Sequence, residues 1–468
     1  MKRFLSLFFL VVVTAWNSYA QTIPQNIESD LTLKLENSPF TVDKSIVVFE
    51  GVKFEIESGV VLNFTGADKY IDVRGTFTVN GGVTINMSGK GSYIKTEGLG
   101  KILLNSDHSG GVYSAFDSIY ITGENWAGIE AGKDSKLVGV SVSVTGNDHH
   151  YWDWFVRLRN GSFMELSTVS GVRNAVYLSE SYLGFSKIHN ISRHALELRD
   201  GSDAINNYIY DVNLTESNNW HVLVNNSSFD RNRIFQSENT SNNYAILAEG
   251  GSSINFNTIG GSNGLHGSVG IALRYGSNHT IVNNNIGGYT SNLVIHGLKD
   301  LSKVYDNSFI GEMDVASGQR NVTVVNGQSF IEGYMQGGDS FNDAFLTVDL
   351  DFKNNYWGNT SDIIGSITDY HDAIERKGAI IFEPKLDSPT LGNPPVVPSG
   401  LVKAVDPSGG VIIKWNAVDA QGLVGYNIWI RDGDNYSYLA SELVDETKDF
   451  YVKTLPSVNI DQNIAITS

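Results

Sequence analysis

Apolar and polar positions alternate through the middle of the chain in similar segments of eight residues. In each segment two aliphatic residues, separated by one position, precede a turn rich in Gly, Asn or Ser. The segments are FVRLRNGS (155–162), ALELRDGS (195–202), HVLVNNSS (221–228), AILAEGGS (245–252), GIALRYGS (270–277) and, with a different last residue, AVYLSESY (175–182). Because alternate side chains of a strand share one face, this recurrence predicts a solenoid in which equivalent strands stack.

A second set of residues recurs with a similar spacing. In each case an Asn stands two positions before an Ile, a Phe or a Trp. Its members are Asn207, Asn232, Asn257, Asn284, Asn307 and Asn355. An Asn side chain both donates and accepts hydrogen bonds, so stacked Asn residues can form a ladder along the axis. Asn also tolerates positive φ better than most residues. We therefore predict a structural Asn ladder at the turns.

The two columns together resemble the right-handed parallel β-helix, the fold of pectate lyases and of many bacterial surface proteins. IVVFEGVKFEIESGVVLNF (46–64) resembles the opening coils of such surface proteins, and NNYWG (354–358) resembles their last coil. No Pro occurs over residues 40–383, which suits a parallel sheet because proline lacks the backbone N–H. The resemblance implies an all-β protein with a right-handed parallel β-helix solenoid over residues 43–358, whose base Trp357 closes.

The remaining residues divide into further predicted parts. Lys2 and Arg3 precede the apolar run 4–13, and small residues precede Gln21, so residues 1–20 predict a secretory signal peptide. Residues 21–42 are expected to cap the first coil, and residues 359–387 are expected to form a C-terminal cap. SPTLGNPPVVPS (388–399) is typical of a stiff, Pro-rich linker.

Residues 400–468 resemble a fibronectin type III β-sandwich, through Trp415, Tyr426 and Leu455. Two departures limit the resemblance. The position of the usual corner tyrosine is occupied by Ile460-Asp461, and the chain stops after the sixth predicted strand. The sequence therefore predicts a partial, truncated domain of this type after the solenoid.

The composition limits the cellular locations and the binding partners that we expect for this protein. The chain has no Cys, which excludes disulfides and thiolate metal sites. Its net charge of −18 and pI near 4.9 argue against nucleic acid as a partner. No segment after the signal peptide is apolar enough to predict a membrane span. We expect a monomeric bacterial protein that is secreted, extracellular or held at the cell surface.

The outward positions of the repeated strand carry the candidate chemistry. Charged and aromatic residues concentrate over 154–199, where six Arg or Lys face three Glu, a balance of 6 − 3 = +3. Arginine binds carboxylates and sulfates through its planar fork, and aromatic rings provide flat surfaces for sugars. The predicted groove, walled by the loops 145–154 and 214–220, comprises Arg157, Arg159, Tyr177, Glu197, Arg199, Trp152, Trp154 and Trp220.

Two readings of this surface stay open. Arg and Glu on neighbouring strands, such as Arg157 and Glu197, stabilise ordinary sheets as cross-strand pairs. In a catalytic interpretation, His194, Tyr177 or Arg199 would act as the base that removes a proton beside a uronate carboxylate. The motifs of known β-helix lyases and polygalacturonases are not recognisable, so no catalytic residue is carried over from them.

The sequence predicts no cofactor. Calcium is the one metal for which it contains a possible ligand pair, Asp349 and Asp351. Two functional classes follow. The first is a protein that binds extracellular polysaccharide or acts as an adhesive rod. The alternative is a polysaccharide lyase or glycoside hydrolase that acts on an anionic glycan in the predicted groove.

Overall fold

The fold is given by a computed structural model. The structure describes residues 21–88, 91–104, 119–123, 127–144, 154–213, 219–236, 243–274, 278–296, 303–310, 320–325, 350–358, 362–369, 372, 379–387, 398–406, 409–417, 425–432, 435–443 and 448–467. Over residues 21–381 every strand pairing is parallel, and each coil contributes one strand to each of three sheets. The chain is therefore a parallel β-helix of the right-handed type, as the sequence predicts.

The first, second and third sheets are named in the order in which each coil visits them. The first contains Gln21–Thr22, Phe40–Val42, Val61–Phe64, Thr84–Met87, Ile119–Gly123, Val140–Val144, Thr168–Ser170, Lys187–Ile191, Tyr208–Val212, Arg233–Gln236 and Ser308–Ile310. The second contains Asn26–Ile27, Ile46–Val48, Tyr70–Val73, Tyr93–Thr96, Gly128–Ala131, Val156–Arg159, Asn174–Ser179, His194–Arg199, Trp220–Asn225, Tyr244–Glu249, Arg320–Val325 and Ile367–Thr368. Two long strands, Thr258–Arg274 and Asn285–His296, run through both.

The third sheet has twelve strands in the described part of the chain. They are Leu31–Leu33, Lys53–Ile56, Thr76–Val79, Lys101–Leu104, Lys136–Val138, Phe163–Glu165, Tyr182–Gly184, Asp203–Ile205, Ser228–Asp230, Ser253–Asn255, Thr280–Val282 and Lys303–Tyr305. A short two-stranded sheet, Leu350–Asp351 with Ile380–Ile381, follows near the end of the solenoid. Residues 21–42 supply two strands to the first sheet and one to each of the second and third, so the coil pattern already begins within the segment expected to cap the first coil.

The core is built from apolar columns inside the solenoid. In the first sheet, for example, Ile188, Ile209 and Ile234 occupy the same register position on successive strands. All three are almost fully buried. Period-2 alternation places these side chains on the inner face, where each one packs on the coils above and below.

The Asn ladder is present at the corner between the third and first sheets. Each Asn side chain donates through Nδ2 to the Oδ1 of the next, at 3.0 Å from Asn207 to Asn232 and 3.0 Å from Asn257 to Asn284. The same oxygens accept backbone N–H groups, as from Asn232 to Asn257 at 2.7 Å. The predicted positive φ lies one residue earlier, at Phe256 before Asn257. The Asn itself points inward, and the preceding residue takes the sharp turn at the corner.

A second ladder follows the corner between the second and third sheets. The backbone N–H of Ser181 donates to Ser202 Oγ, and that of Ser202 donates to Ser227 Oγ, each at 3.2 Å. His279 replaces serine on the last described rung, where Nδ1 accepts from the Ser252 N–H at 3.2 Å. Both corners thus satisfy buried backbone groups with short polar side chains.

Trp357 lies at the base of the solenoid core. Its ring centroid is 5.0 Å from that of Phe309 and 5.9 Å from that of Phe382, and the side chain is 2% exposed. Aromatic pairs in this range add to the area that they bury. The predicted closing role of Trp357 agrees with these contacts.

Two three-stranded antiparallel sheets make up the C-terminal module (398–467). One contains Val402–Val405, Val411–Asn416 and Phe450–Leu455, and the other contains Gly425–Asp432, Asn435–Leu443 and Asn463–Thr467. Trp415, Tyr426 and Tyr451 form its buried centre, with ring centroids 4.9–5.6 Å apart. No described helix is long and apolar enough to cross a lipid bilayer.

Candidate functional site

The outward face of the second sheet changes character along the axis. Arg157, Tyr177 and Glu197 occupy equivalent positions on three successive strands, and Leu223 and Leu247 take that position on the next two. The polar part therefore covers the coils that the sequence indicates. The leucines belong to a separate apolar cluster outside the main core.

An aromatic cluster lies at the start of these strands. The Trp154 and Trp220 rings stack at 6.2 Å, the His194 ring lies 3.8 Å from that of Trp220, and Tyr177 lies 6.2 Å from Trp154. The chain can place His194 outward because the next two residues, Ala195 and Leu196, both join the interior core. A small residue at this extra inward position leaves room for the neighbouring aliphatic side chain.

His194 is held in one tautomer by its neighbour. Its Nδ1 lies 2.8 Å from the carbonyl oxygen of Trp220, which can only accept, so Nδ1 carries the hydrogen. Burial lowers the pKa of His194 to about 3, although this hydrogen bond favours the charged ring. The free Nε2 is therefore a weak general base near neutral pH.

Arg157 and Arg159 pair with a carboxylate from the preceding coil. Arg159 Nη1 lies 3.0 Å from Glu130 Oε1, and Arg157 Nη1 lies 3.9 Å from Glu130 Oε2. The expected pair of Arg157 with Glu197 is wrong, because Tyr177 stands between them in the register. Glu130 lies directly beside Arg157 on the preceding strand of the sheet.

Glu197 and Glu249 lie near Arg199, with Glu197 buried and Glu249 half-buried. The Arg199 Nε donates to Glu197 Oε1. Glu249 accepts from Asn225 Nδ2 at 3.3 Å and lies 3.6 Å from Arg274 Nε. Burial raises the pKa of Glu197 against the charge of Arg199. Burial also raises the pKa of Glu249, which the charges of Arg274 and Arg199 lower and the charge of Glu197 raises.

The structure also changes the charge balance expected for the groove. Glu130, Glu249 and Arg274 lie outside the segment 154–199 but belong to the same surface. Among the residues in these ion pairs, Arg157, Arg159, Arg199 and Arg274 stand against Glu130, Glu197 and Glu249, a balance of 4 − 3 = +1, and the charges of Arg173 and Arg193 also act on His194. The surface is thus a network of paired charges beside an aromatic cluster.

Seven of the eight predicted groove residues lie on this face, and their placement is only partly as expected. Glu197 is 8% exposed and Trp154 is 7% exposed, whereas Arg159 and Arg199 remain more accessible. Trp152, most of both predicted wall loops and Asp349 lie outside the described residues. Asp351 pairs with Lys353 at 3.6 Å.

Sequence reasoning missed Glu130, Asn225, Glu249 and Arg274. Glu249 and Arg274 lie beyond the segment 154–199, whose charges were counted. A signal for Glu130 exists, because it stands between the inward Ile129 and Ala131 in a short alternating strand. The described residues contain no group of three or more His, Asp or Glu placed to hold a metal ion.

Comparisons with known proteins return fold-level similarities. The tailspike protein of E. coli bacteriophage HK620, as a double mutant, is 10% identical with a TM-score of 0.32, covering 96% of this chain and 86% of that one. A second double mutant of it, in complex with a pentasaccharide, is 10% identical at a TM-score of 0.32, covering 95% and 85%. Tailspike protein 3 of bacteriophage CBA120 is 12% identical at 0.30, covering 78% and 62%. No family model and no curated protein matches the chain.

Proposed function

We propose that this chain is a secreted or cell-surface β-helix protein that binds polysaccharide on the outward face of its second sheet. The observation that carries the proposal is the aromatic cluster of Trp154, Tyr177, His194 and Trp220 beside Arg157. Trp154 and His194 are buried, so the half-buried rings of Tyr177 and Trp220 would offer flat apolar faces to sugar C–H groups, and the neighbouring arginines and glutamates would offer directional hydrogen bonds.

The paired charges indicate which kind of glycan this surface would bind. Each of Arg157, Arg159 and Arg199 already has a carboxylate partner, so a dense polyanion would have to compete with Glu130 and Glu197. A glycan with few acidic groups and several hydroxyls fits the surface better. Its affinity should fall with salt only weakly, because the exposed net charge is small.

The other parts of the chain are proposed to serve this extracellular role. Residues 1–20 would act as a signal peptide that sends the chain out of the cytoplasm. The C-terminal module is assigned to the fibronectin type III kind, on the Trp415, Tyr426 and Leu455 pattern and the paired antiparallel sheets. In a surface protein such a module would act as a spacer beside the rod-shaped solenoid.

The test is a glycan-array screen of residues 21–468, followed by titration of the best ligand. We expect Arg157→Ala with Arg199→Ala to weaken binding at least tenfold in a protein that still unfolds cooperatively. The matched control, Arg74→Ala with Lys303→Ala, removes the same charge far from the surface and should leave the affinity unchanged. Equal affinity of the double variant and the parent would place the binding surface elsewhere.

Hydrolysis of the bound glycan is the second candidate function, favoured by the buried carboxyl group of Glu197 and the half-buried one of Glu249. A glycoside hydrolase needs one carboxyl group that keeps its proton near neutral pH, and burial raises the pKa of both Glu197 and Glu249. Lyase chemistry has less support, because His194 is a weak base here, which leaves Tyr177 and Arg199 as the candidate proton acceptors.

Product analysis separates these activities. A hydrolase releases new reducing ends, and both Glu197→Gln and Glu249→Gln should abolish the release while Glu130→Gln retains it. A lyase would release unsaturated uronates that absorb in the ultraviolet. Binding of the array ligand without release of either product would support the non-catalytic binding function and exclude both the hydrolase and the lyase activity.

A further inference from the structure

The C-terminal module contacts the solenoid on the outward face of the first sheet. Lys187 Nζ donates to the backbone carbonyl oxygen of Asp449 at 2.9 Å. The same oxygen accepts the backbone N–H of Ala417 at 2.8 Å, so it belongs to the ordered end of the paired strands Val411–Asn416 and Phe450–Leu455. A lysine of the solenoid thus completes the hydrogen bonding at the edge of the module.

Burial and charge around this contact mark it as an interface. Burial lowers the pKa of Lys187, the charge of Asp449 opposes the shift, and Lys414 of the module adds to it. Burial also lowers the pKa of His189, helped by the Lys187 charge and opposed by Asp211 and Asp449. Groups from both units therefore act on the same two side chains of the strand Lys187–Ile191.

The solenoid presents a rigid, flat surface at this place. His189 stacks on Tyr210 with ring centroids 4.8 Å apart and planes 6° apart, and Tyr210 stacks on Tyr208 at 4.5 Å. One rung further along the sheet, Phe235 pairs in register with Tyr210 and is 46% exposed. The first sheet is therefore open to solvent at Phe235, one rung beyond Tyr210.

The connecting segment is long enough for this arrangement. The strand of Lys187 lies five rungs from that of Ser308 along the first sheet, and the bridge from Ser308 to Tyr356 adds a sixth. Six rungs of about 4.8 Å place Lys187 roughly 29 Å from the base of the solenoid. The ten residues 388–397 can extend to about 33–36 Å. The module can therefore lie back along the side of the solenoid.

We propose that the C-terminal module docks on the first sheet around Lys187, His189 and Tyr210, as a fixed side domain that leaves the outward face of the second sheet open. Its geometry depends on directional contacts, of which the hydrogen bond from the Lys187 ammonium group to the Asp449 carbonyl oxygen joins the solenoid to the module's sheet edge.

Cross-linking tests where the C-terminal module lies. Because the protein has no Cys, only the introduced thiols can react with the cross-linker. Lys187→Cys with Asp449→Cys should be joined intramolecularly by a short bis-maleimide, giving a compact band on denaturing gels and the mass of one linker. The control pair, Lys303→Cys with Asp449→Cys, places the first thiol on the third sheet and should give only singly modified thiols. Equal yields from the two pairs would overturn the docking.

Charge reversal tests the role of Lys187. Lys187→Glu sets a carboxylate against the Asp449 carbonyl and carboxylate, so the module should detach and the radius of gyration from X-ray scattering should rise. Lys303→Glu makes the same charge change at an exposed site and should leave the radius unchanged. An unchanged radius for Lys187→Glu, with a cooperative melt, would show that Lys187 does not hold the module.

Discussion

Asn257 in the middle of the Asn ladder offers the most direct test of what holds the coils together. Its Oδ1 accepts from the backbone N–H of Asn232 at 2.7 Å, and its Nδ2 donates to the Phe229 carbonyl at 2.7 Å and to Asn284 Oδ1 at 3.0 Å. The side chain is fully buried. Replacing Asn257 with Ala removes these three bonds and the longer one from Asn232 Nδ2, at 3.4 Å, and leaves the Asn232 N–H buried without its acceptor.

The expected loss follows from these contacts. Three hydrogen bonds contribute about 1 kcal/mol each, and a buried donor left without a partner costs about 1–3 kcal/mol more. A water molecule in the vacated space would recover part of this, so we expect Asn257→Ala to lower the free energy of unfolding by about 3–5 kcal/mol. Asn257→Asp should cost at least as much, because an oxygen would replace the donor that faces two acceptors.

The assay is urea denaturation followed by tryptophan fluorescence and circular dichroism, whose transitions must coincide. Asn63→Ala is the matched control, since Asn63 Oδ1 accepts from Asn86 Nδ2 at 2.7 Å on the partly exposed outward face. It should cost about 0.5–1 kcal/mol. If Asn257→Ala costs no more than this control, the buried ladder is not a main source of stability and the reasoning fails.

Three further predictions concern packing, titration and the base of the solenoid. Gly100→Ala would place a Cβ 1.7 Å from the Val73 carbonyl oxygen, so thermal melts should show a larger loss than for Gly98→Ala, where φ is +62° but space is open; an equal loss would contradict this. His221 is buried with a pKa of about 3, below its unfolded value near 6.5, so its contribution to stability is present above pH 6.5 and is lost as the pH falls toward 3. His221→Ala should reduce the acid slope of the unfolding free energy by about 1.4 kcal/mol per pH unit between pH 6 and 4, and an unchanged slope in pH-dependent urea titrations would refute the shift. Trp357→Ala should cost about 3–5 kcal/mol in urea titrations, and a cost below 1 kcal/mol would show that this ring does not seal the base.

The sequence predicts the fold well because both of its main signals are local. Alternation within a strand and a recurring Asn need no knowledge of the neighbouring coil, and each maps directly onto a sheet or a corner. The positive φ was placed one residue late for a related reason. The ladder residue must point inward, so the turn falls to its predecessor, which is Phe256 in one coil and Arg231 in another.

The candidate site was harder to predict, because its contacts join different coils. Coil lengths vary, so the register that sets Glu130 beside Arg157 cannot be read from a fixed spacing. The outward placement of His194 also depends on two consecutive inward residues, which break the simple alternation. Charge counted along the segment 154–199 therefore left out Glu130, Glu249 and Arg274, which belong to the same surface.

The Asn ladder makes the length of this protein adjustable in whole units. Asn232 and Asn257 present the same hydrogen-bonding groups upward and downward, and Arg233 and Thr258 occupy equivalent positions on neighbouring strands. Removing residues 233–257 would thus join matching ends and shorten the axis by one step of about 4.8 Å. Duplication or deletion of one such segment would lengthen or shorten the solenoid by one coil and leave the contacts between the other coils unchanged.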